Sequence, residues 1–303
     1  MIGYVGLGSM GGALAARLHE VLPSPLLVHD HDPAAEQRLT ALGAEACRDV
    51  ADLARRCDVI VLCLPTSDHV AAALFDEGGI AAAARPGTLV IDQTTGDPAA
   101  TRLMAARLAA TDVTLLDAPV SGGAQGAAAG TITIMLGAAE GEHPEAAELL
   151  RRISPNVHHA GGLGNGHLIK IVNNLLSCAQ RVLSMEGIAL AAKGGMDPAT
   201  AVEILSSGGG RNAYLQNIMG PKVVQGDLHA GFTLGLAHKD VRLACAVGEQ
   251  SGVPMFMAGL TRELYQMFIA EMGASAQVDT AALVIDRLAG TSVVPGSHRK
   301  DAS

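Results

Sequence analysis

The sequence predicts an α/β protein, with an N-terminal doubly wound sheet over residues 1–162 and a C-terminal all-helical domain over 163–290. Three observations carry this. Short apolar runs alternate with helical patterns through the first half, which is the grammar of a parallel sheet. A strand, a G-x-G-x-x-G turn and a helix open the chain. Beyond Gly162 no convincing strand appears, and apolar residues recur at helical spacing.

Composition bounds the rest. At 303 residues two domains are expected, and 49% hydrophobic with 17% charged residues is ample for sizeable cores. A net charge of −9, the lack of any Lys/Arg run and an aromatic set of four Phe, three Tyr and no Trp argue against a nucleic-acid partner. Small-molecule partners fit better. Cys47, Cys57, Cys63, Cys178 and Cys245 are scattered without a C-x-x-C pair, so neither a disulfide framework nor a metal site is expected. A reducing cytoplasm is the simplest setting. No leader is expected, because residues 2–8 already read as a strand entering a turn, and no uncharged apolar run reaches the ~18 residues of a membrane span.

Taken in order, 2–6 reads as a strand and 12–20 as a helix, with Gly6-Leu7-Gly8-Ser9-Met10-Gly11 between them. Gly6 serves the tight turn, Gly8 the close approach of backbone to a pyrophosphate, and Gly11 the packing of helix on strand. A second strand at 26–29 ends at Asp30, about where a ribose-binding acid belongs. This reads as a Rossmann-type dinucleotide site, with a glycine-rich turn that serves only packing as the alternative. Helices are predicted near 34–42, 50–56, 67–74 and 98–110, a short segment near 44–47, and strands at 58–64, 88–92 and 113–117. A strand at 131–136, a helix at 144–154 and a strand at 156–159 are expected to close the sheet. Helices then follow near 164–193, 198–206, 212–225, 233–251, 255–272 and 277–289. Residues 291–303 read as a polar, mobile tail.

Ligands of doubly wound sheets lie beyond the carboxyl ends of the strands, so the loops 64–66, 93–96 and 118–123 should converge on one. Ser121-Gly122-Gly123 offers a hydroxyl and successive unobstructed N–H groups, a nest for a carboxylate or phosphate oxygen, with an ordinary turn as the alternative. Lys170 stands in an otherwise apolar helix among Leu168, Ile169, Ile171, Val172, Leu175 and Leu176, with Asn174 four residues on along the same face. Gly164 and Gly166 leave room for another backbone or a ligand to approach. At ~1.5 Å per residue this helix is long enough to cross from one domain into the other, which places Lys170 at the cleft. A buried ammonium beside an amide asks for a function. A lysine that snorkels to solvent from a structural helix is the plainer alternative. His29-Asp30-His31-Asp32 reads as a solvated loop rather than a metal site, and His158, His159 and His167 as surface or cleft-edge residues.

Four motifs in order carry a resemblance: Gly-Leu-Gly-Ser-Met-Gly at 6–11, Asp-Ala-Pro-Val-Ser-Gly-Gly at 117–123, Gly-Asn-Gly-His-Leu-Ile-Lys-Ile-Val-Asn-Asn at 164–174 and Lys-Asp-Val-Arg-Leu-Ala at 239–244. Over roughly residues 2–290 the chain resembles the β-hydroxyacid dehydrogenases, which include 3-hydroxyisobutyrate dehydrogenase and tartronate semialdehyde reductase. The resemblance implies that Lys170 is the catalytic lysine, that Asn174 binds substrate, and that Ser121, Gly122 and Gly123 hold its carboxylate. It also implies that Lys239 lies near the nicotinamide and that Leu64, Pro65, His69 and Thr95 contact the cofactor. His69 and Arg17 stand where relatives often carry Asn. Arg211, in the run 206–212, is a candidate for a distal substrate oxygen.

The chemistry expected is hydride transfer to a nicotinamide, with Lys170 taking or returning the hydroxyl proton. A free lysine, with pKa ~10.4, is a poor base at neutral pH, and an apolar helix with positive neighbours would lower it. NAD is expected over NADP, because Asp30 repels a 2′-phosphate and His31 stands next to it rather than an arginine. A tartronate or succinic semialdehyde reductase is the alternative within the class. An imine reductase or a non-catalytic dinucleotide-binding module is the alternative outside it. The Ala/Gly-rich faces of the later helices, with the pairing of relatives, imply a homodimer or homotetramer.

Overall fold

The computed structural model describes residues 1–297. Its first unit, Met1–Lys170, is built on six parallel strands. These are β1 (Ile2–Val5), β2 (Leu27–His29), β3 (Glu45–Ala46), β4 (Val59–Leu62), β5 (Leu89–Asp92) and β6 (Thr114–Asp117), in the order β3-β2-β1-β4-β5-β6. The order reverses at β1, so the crevice for a ligand opens at the carboxyl ends of β1 and β4. The helices between them are α1 (Ser9–Val21), α2 (Pro33–Thr40), α3 (Val50–Arg56), α4 (Ser67–Phe75), α5 (Ile80–Ala83) and α6 (Pro98–Leu108).

Strand side chains point alternately to the two faces, and here each face has its own core. Tyr4, Val61, Ile91 and Leu116 pack on one side with Leu14 and Leu18 of α1. Val5, Ile60, Val90 and Leu115 pack on the other with Leu53, Leu74 and Leu108. Burial on both faces explains why these strands read as continuous apolar runs.

One expectation is corrected after β6. Residues 131–136 and 156–159 do not close the large sheet. β7 (Val120–Ser121), β8 (Thr133–Leu136) and β9 (Val157–His159) form a separate three-stranded sheet, with β7 antiparallel to β8. Pro119 has no N–H to continue the ladder of β6, and its carbonyl instead accepts from Met135 N at 2.9 Å. A helix not anticipated, α7 (Gly123–Ala128), fills the connection, and α8 (Pro144–Ile153) follows β8.

The helix α9 (Asn165–Lys193) starts in the first unit, and the second begins at Ile171, inside it. The rest of the second unit comprises α10 (Pro198–Ser207), α11 (Leu234–Gln250), α12 (Phe256–Met272) and α13 (Ala281–Ala289). Residues 212–225 are not the single helix expected: a π-helical turn, Leu215–Met219, and a 3-10 turn, Val223–Gln225, flank Gly220 and Pro221, and proline cannot continue a helical ladder. Arg181 is buried against the carboxylate of Asp279, which also accepts from the Tyr214 hydroxyl at 3.0 Å. The start of the expected polar tail is instead packed. Val293 and Val294 are buried, and Asp286 accepts from Thr291 Oγ1, both of their amides and Ser297 Oγ at 2.7 to 2.9 Å. Residues 298–303 lie outside the described residues.

Candidate active site

The glycine turn after β1 is shaped as its spacing requires. Gly6 has φ +91°, and a Cβ there would stand 2.3 Å from the Cys63 carbonyl oxygen. At Gly11 a Cβ would stand 2.0 Å from Gly6 O, so helix and turn touch backbone to backbone. At Gly8 a Cβ would meet nothing within 4 Å, and the first turn of α1 has no side-chain cap. Open amides at a helix N-terminus suit a pyrophosphate. Ser9 and Met10 open that helix.

Asp30, just beyond β2, is tied to the same turn. Its Oδ2 accepts from Leu7 N at 2.5 Å and its Oδ1 from Asp32 N at 2.8 Å. His29 Nδ1 is 3.0 Å from Glu36 Oε1, which also accepts from Asp30 N, so Glu36 stiffens this corner. His31 is exposed, edge-on to the His29 ring, and the Arg38 guanidinium reaches Leu7 O at 3.5 Å. Next along the crevice, Leu64 N donates to Thr94 Oγ1 at 3.0 Å and Asp97 N to Ser67 Oγ at 2.8 Å, which join the loops after β4 and β5. Thr95 lies between them, half-buried, while Pro65 and His69 are exposed and the His69 ring is held 2.7 Å from the Thr66 hydroxyl.

The loop after β6 works partly through a residue that sequence reasoning passed over. Asp117 is fully buried, and its two carboxylate oxygens accept from Gly164 N and His167 N, both at 2.7 Å. A carboxylate on the leading amides of a helix satisfies groups that have no partner within the helix. The glycines around it are steric requirements: a Cβ on Gly166 would be 2.3 Å from Met135 O, and one on Gly137 2.0 Å from Asp117 Oδ1. Gly166 therefore makes room for strand backbone and a carboxylate, and Gly164, with φ +86°, makes room for Pro98 O and the Arg102 guanidinium. The signal was available, since Asp117 opens the Asp-Ala-Pro-Val-Ser-Gly-Gly motif. Ser121 is half-buried, Gly122 is the N-cap of α7 with φ 136°, and a Cβ at Gly123 would meet nothing within 4 Å.

Lys170 is 8% exposed, one turn beyond Gly166 on α9. Its apolar neighbours do not bury it as expected: Leu168, Ile169, Val172 and Leu176 are 38 to 54% exposed, and the buried stripe runs through His167, Lys170, Ile171 and Cys178. The Lys170 charge acts on Cys63 at the end of β4, whose thiol is pushed up to about 12 by burial and then by Asp92, against the lowering effect of Tyr4 and Lys170. His167 is a further correction: it is fully buried rather than at a surface, with Nδ1 2.8 Å from Thr101 Oγ1. His159 is half-buried with Nδ1 3.2 Å from Ala138 O, while His158 is exposed.

In the second unit, Asn174 Nδ2 donates to Asp240 Oδ2 at 2.6 Å, and Lys239 Nζ is 2.8 Å from Asp240 Oδ1. Asp240 thus links the two predicted site residues, and it too was visible inside a quoted motif. Arg211 is exposed on the loop after α10, its backbone N–H 3.3 Å from Gly208 O, and is not part of that group.

Comparison with known proteins accords with this geometry. Residues 1–161 match the NAD binding domain of 6-phosphogluconate dehydrogenase, and residues 164–285 match the NAD-binding domain of NADP-dependent 3-hydroxyisobutyrate dehydrogenase. The 2-(hydroxymethyl)glutarate dehydrogenase of Eubacterium barkeri is 33% identical over 298 residues, 97% of this chain and 98% of that one. The NAD-dependent L-serine dehydrogenase of Pseudomonas aeruginosa is 33% identical over 276 residues, 89% of this chain and 92% of that one. Among solved structures, Mycobacterium tuberculosis 3-hydroxyisobutyrate dehydrogenase with L-serine superposes with a TM-score of 0.84 at 28% identity, covering 94% of this chain and 98% of that one. An uncapped glycine turn fit for a pyrophosphate, matched on both halves by dehydrogenase relatives, makes this chain a member of the β-hydroxyacid dehydrogenase family and an NAD(P)-dependent hydroxyacid dehydrogenase.

Proposed function

We propose that the chain interconverts a short 3-hydroxy acid and its semialdehyde, with Lys170 as the acid/base. The observation that carries this reading is a lysine only 8% exposed, one turn beyond helix amides that Asp117 holds. Serine, 3-hydroxyisobutyrate and 2-(hydroxymethyl)glutarate, named for the relatives, share an HO–CH2–CH–COO⁻ core and differ in the third substituent. That core is the proposed substrate class.

The nicotinamide supplies a hydride acceptor in oxidation and a hydride donor in reduction. As hydride leaves the carbinol carbon, the O–H bond breaks and Lys170 Nζ takes the proton. In reduction the ammonium returns it to the carbonyl oxygen. Ser121, Gly122 and Gly123 hold the substrate carboxylate, a role supported by the open space at Gly123. Asn174 binds substrate with its amide oriented by Asp240, and Lys239 serves the nicotinamide end. Arg211 is assigned a distal oxygen. NAD is preferred, a reading supported by the Asp30 carboxylate beyond β2, whose charge would repel a 2′-phosphate.

We also propose a homodimer or homotetramer. Ile169, Leu176, Leu183 and Leu190 recur every seventh residue of α9 at 45 to 75% exposure, and Phe256, Met257 and Leu260 of α12 are 53 to 85% exposed. Apolar stripes of this extent are covered in stable assemblies. α9 also has the length and composition of a membrane span, yet Lys170 and Arg181 interrupt it and are buried. A reducing cytoplasm is the proposed setting, one in which free cysteines persist.

The test is a panel of L-serine, 3-hydroxyisobutyrate, 2-(hydroxymethyl)glutarate, tartronate semialdehyde, succinic semialdehyde and a cyclic imine, each with NAD(H) and NADP(H). Turnover confined to acids with the shared core supports the reading. Turnover of the imine alone overturns it.

A further inference from the structure

Beside the Asp117 lock lies a second buried contact that the assigned chemistry does not use. Asp92, 1% exposed at the end of β5, stands in register with Asp117 on β6. Its Oδ1 accepts from Thr94 N at 2.9 Å. Its Oδ2 is buried with no hydrogen-bond partner and faces His167 Nε2, likewise buried without one, at 3.7 Å.

The tautomer of His167 follows from its other nitrogen. Thr101 Oγ1 is 2.9 Å from Asp97 O and 2.8 Å from His167 Nδ1. A carbonyl only accepts, so the single hydroxyl proton goes to Asp97 O and the hydroxyl oxygen accepts from Nδ1–H. A neutral His167 then turns a bare Nε2 lone pair toward an ionised Asp92. Two buried acceptors facing each other with no proton are both unsatisfied, and one proton satisfies both.

We propose that Asp92 and His167 share one proton, and that this pair is a positioning device that holds the first turn of α9 against β5 and so places Lys170. The proposal rests on the reading of Lys170 as the acid/base. Asp117 grips the turn by two amides, and the Asp92–His167 pair grips the same turn by a side chain. Lys170 is three residues beyond His167, on the same buried stripe. The other titratable groups around Asp92 do not compete for the proton near neutrality. Burial and then Asp92 push the Cys63 thiol up to about 12, and burial first raises the Tyr4 hydroxyl well above its ordinary value. Asp117 already accepts two N–H donors, and the Thr94 and Thr101 side chains do not ionise in this range.

The test uses the full chain with 15N-labelled histidine, together with Asp92→Asn and Asp92→Leu. In the wild type, His167 Nδ1 is expected to carry a proton and Nε2 to show the shift of a nitrogen that shares a second one with Asp92. Asparagine keeps the acceptor for Thr94 N and presents an N–H to Nε2, so Asp92→Asn should fold and keep kcat within about 3-fold of wild type. Leucine leaves Nε2 without a partner, and kcat should fall about 10- to 100-fold while KM for the cofactor stays within about 2-fold. A proton on Nε2 with Nδ1 bare overturns the proposal, as does full kcat in Asp92→Leu or equal loss in the asparagine variant. If Asp92→Leu does not fold, the ring tautomer and the asparagine variant decide. Full turnover in Lys170→Ala would remove the reading of Lys170 and the positioning claim, whereas the NMR result would still report the shared proton.

Discussion

Asp240 Oδ2 accepts from Asn174 Nδ2 at 2.6 Å, and the Asp240 side chain is almost wholly buried. The same carboxylate stands 2.8 Å from the Lys239 ammonium. Asp240 therefore orients the Asn174 amide, the proposed substrate ligand, and balances the charge of Lys239. Asp240→Ala should lower kcat/KM for the hydroxy acid by about 10- to 100-fold, most of it in KM, with the fold intact by circular dichroism. An unchanged KM would show that Asn174 needs no such orientation.

Lys170→Ala should lower kcat by about 100-fold or more with little change in cofactor affinity, because the glycine turn and Asp30 are untouched. Lys170→Arg should restore little, since a guanidinium, with pKa above ~12, does not release a proton at neutral pH. Near-native kcat in the arginine variant would make Lys170 a binding cation instead.

Gly166→Ala tests the seat of α9. Its Cβ would stand 2.3 Å from Met135 O and 2.9 Å from Asp117 Oδ2, neither of which is a flexible side-chain end. The expected loss is about 1–3 kcal/mol in denaturant unfolding, with a fall in kcat because Lys170 is one turn away. Gly8→Ala meets no atom within 4 Å, so its unfolding midpoint should be unchanged while cofactor KM rises.

Stability should carry a pH signature from Asp92. Burial is the largest influence on this carboxyl and raises its pKa, against the lowering by His167 and Thr94. The folded chain therefore holds this proton more tightly than the unfolded chain. The stability so gained is complete below the ordinary carboxyl value of ~3.9 and is lost as pH rises through the folded value. Asp92→Asn removes this contribution, so its Tm should fall less than that of the wild type on going to alkaline pH. Parallel Tm curves for the two proteins would refute it.

Cofactor preference is measured as a ratio of kcat/KM values, and NAD is expected to lead. Asp30→Ser should narrow the ratio, because it removes the charge that repels a 2′-phosphate while Arg38 remains at the same turn. The substitution also takes the acceptor from Leu7 N, so a lower Tm is expected alongside.

The features legible from residue order alone are local and periodic. The strand-turn-helix around Gly6, Gly8 and Gly11, the alternation that builds β1 to β6 and the 29-residue α9 all follow from short-range patterns. The Lys170 and Asn174 positions were legible for the same reason, as polar residues four apart on an apolar helix. Which distant groups meet was set by packing. Asp117 reaches amides 47 and 50 residues away, and Asp240 orients an amide 66 residues away. His167 looked like a surface histidine because its partners, Thr101 and Asp92, lie in other elements. The separate β7–β9 sheet and the packed segment 291–297 were missed likewise. Pro119 turns the chain out of the large sheet, and the buried carboxylate of Asp286 anchors the polar-looking C-terminal segment. Periodicity records which face of an element is apolar, whereas the pairing of buried polar groups depends on the close approach of backbones that glycine permits, and that geometry exists only once the elements have packed.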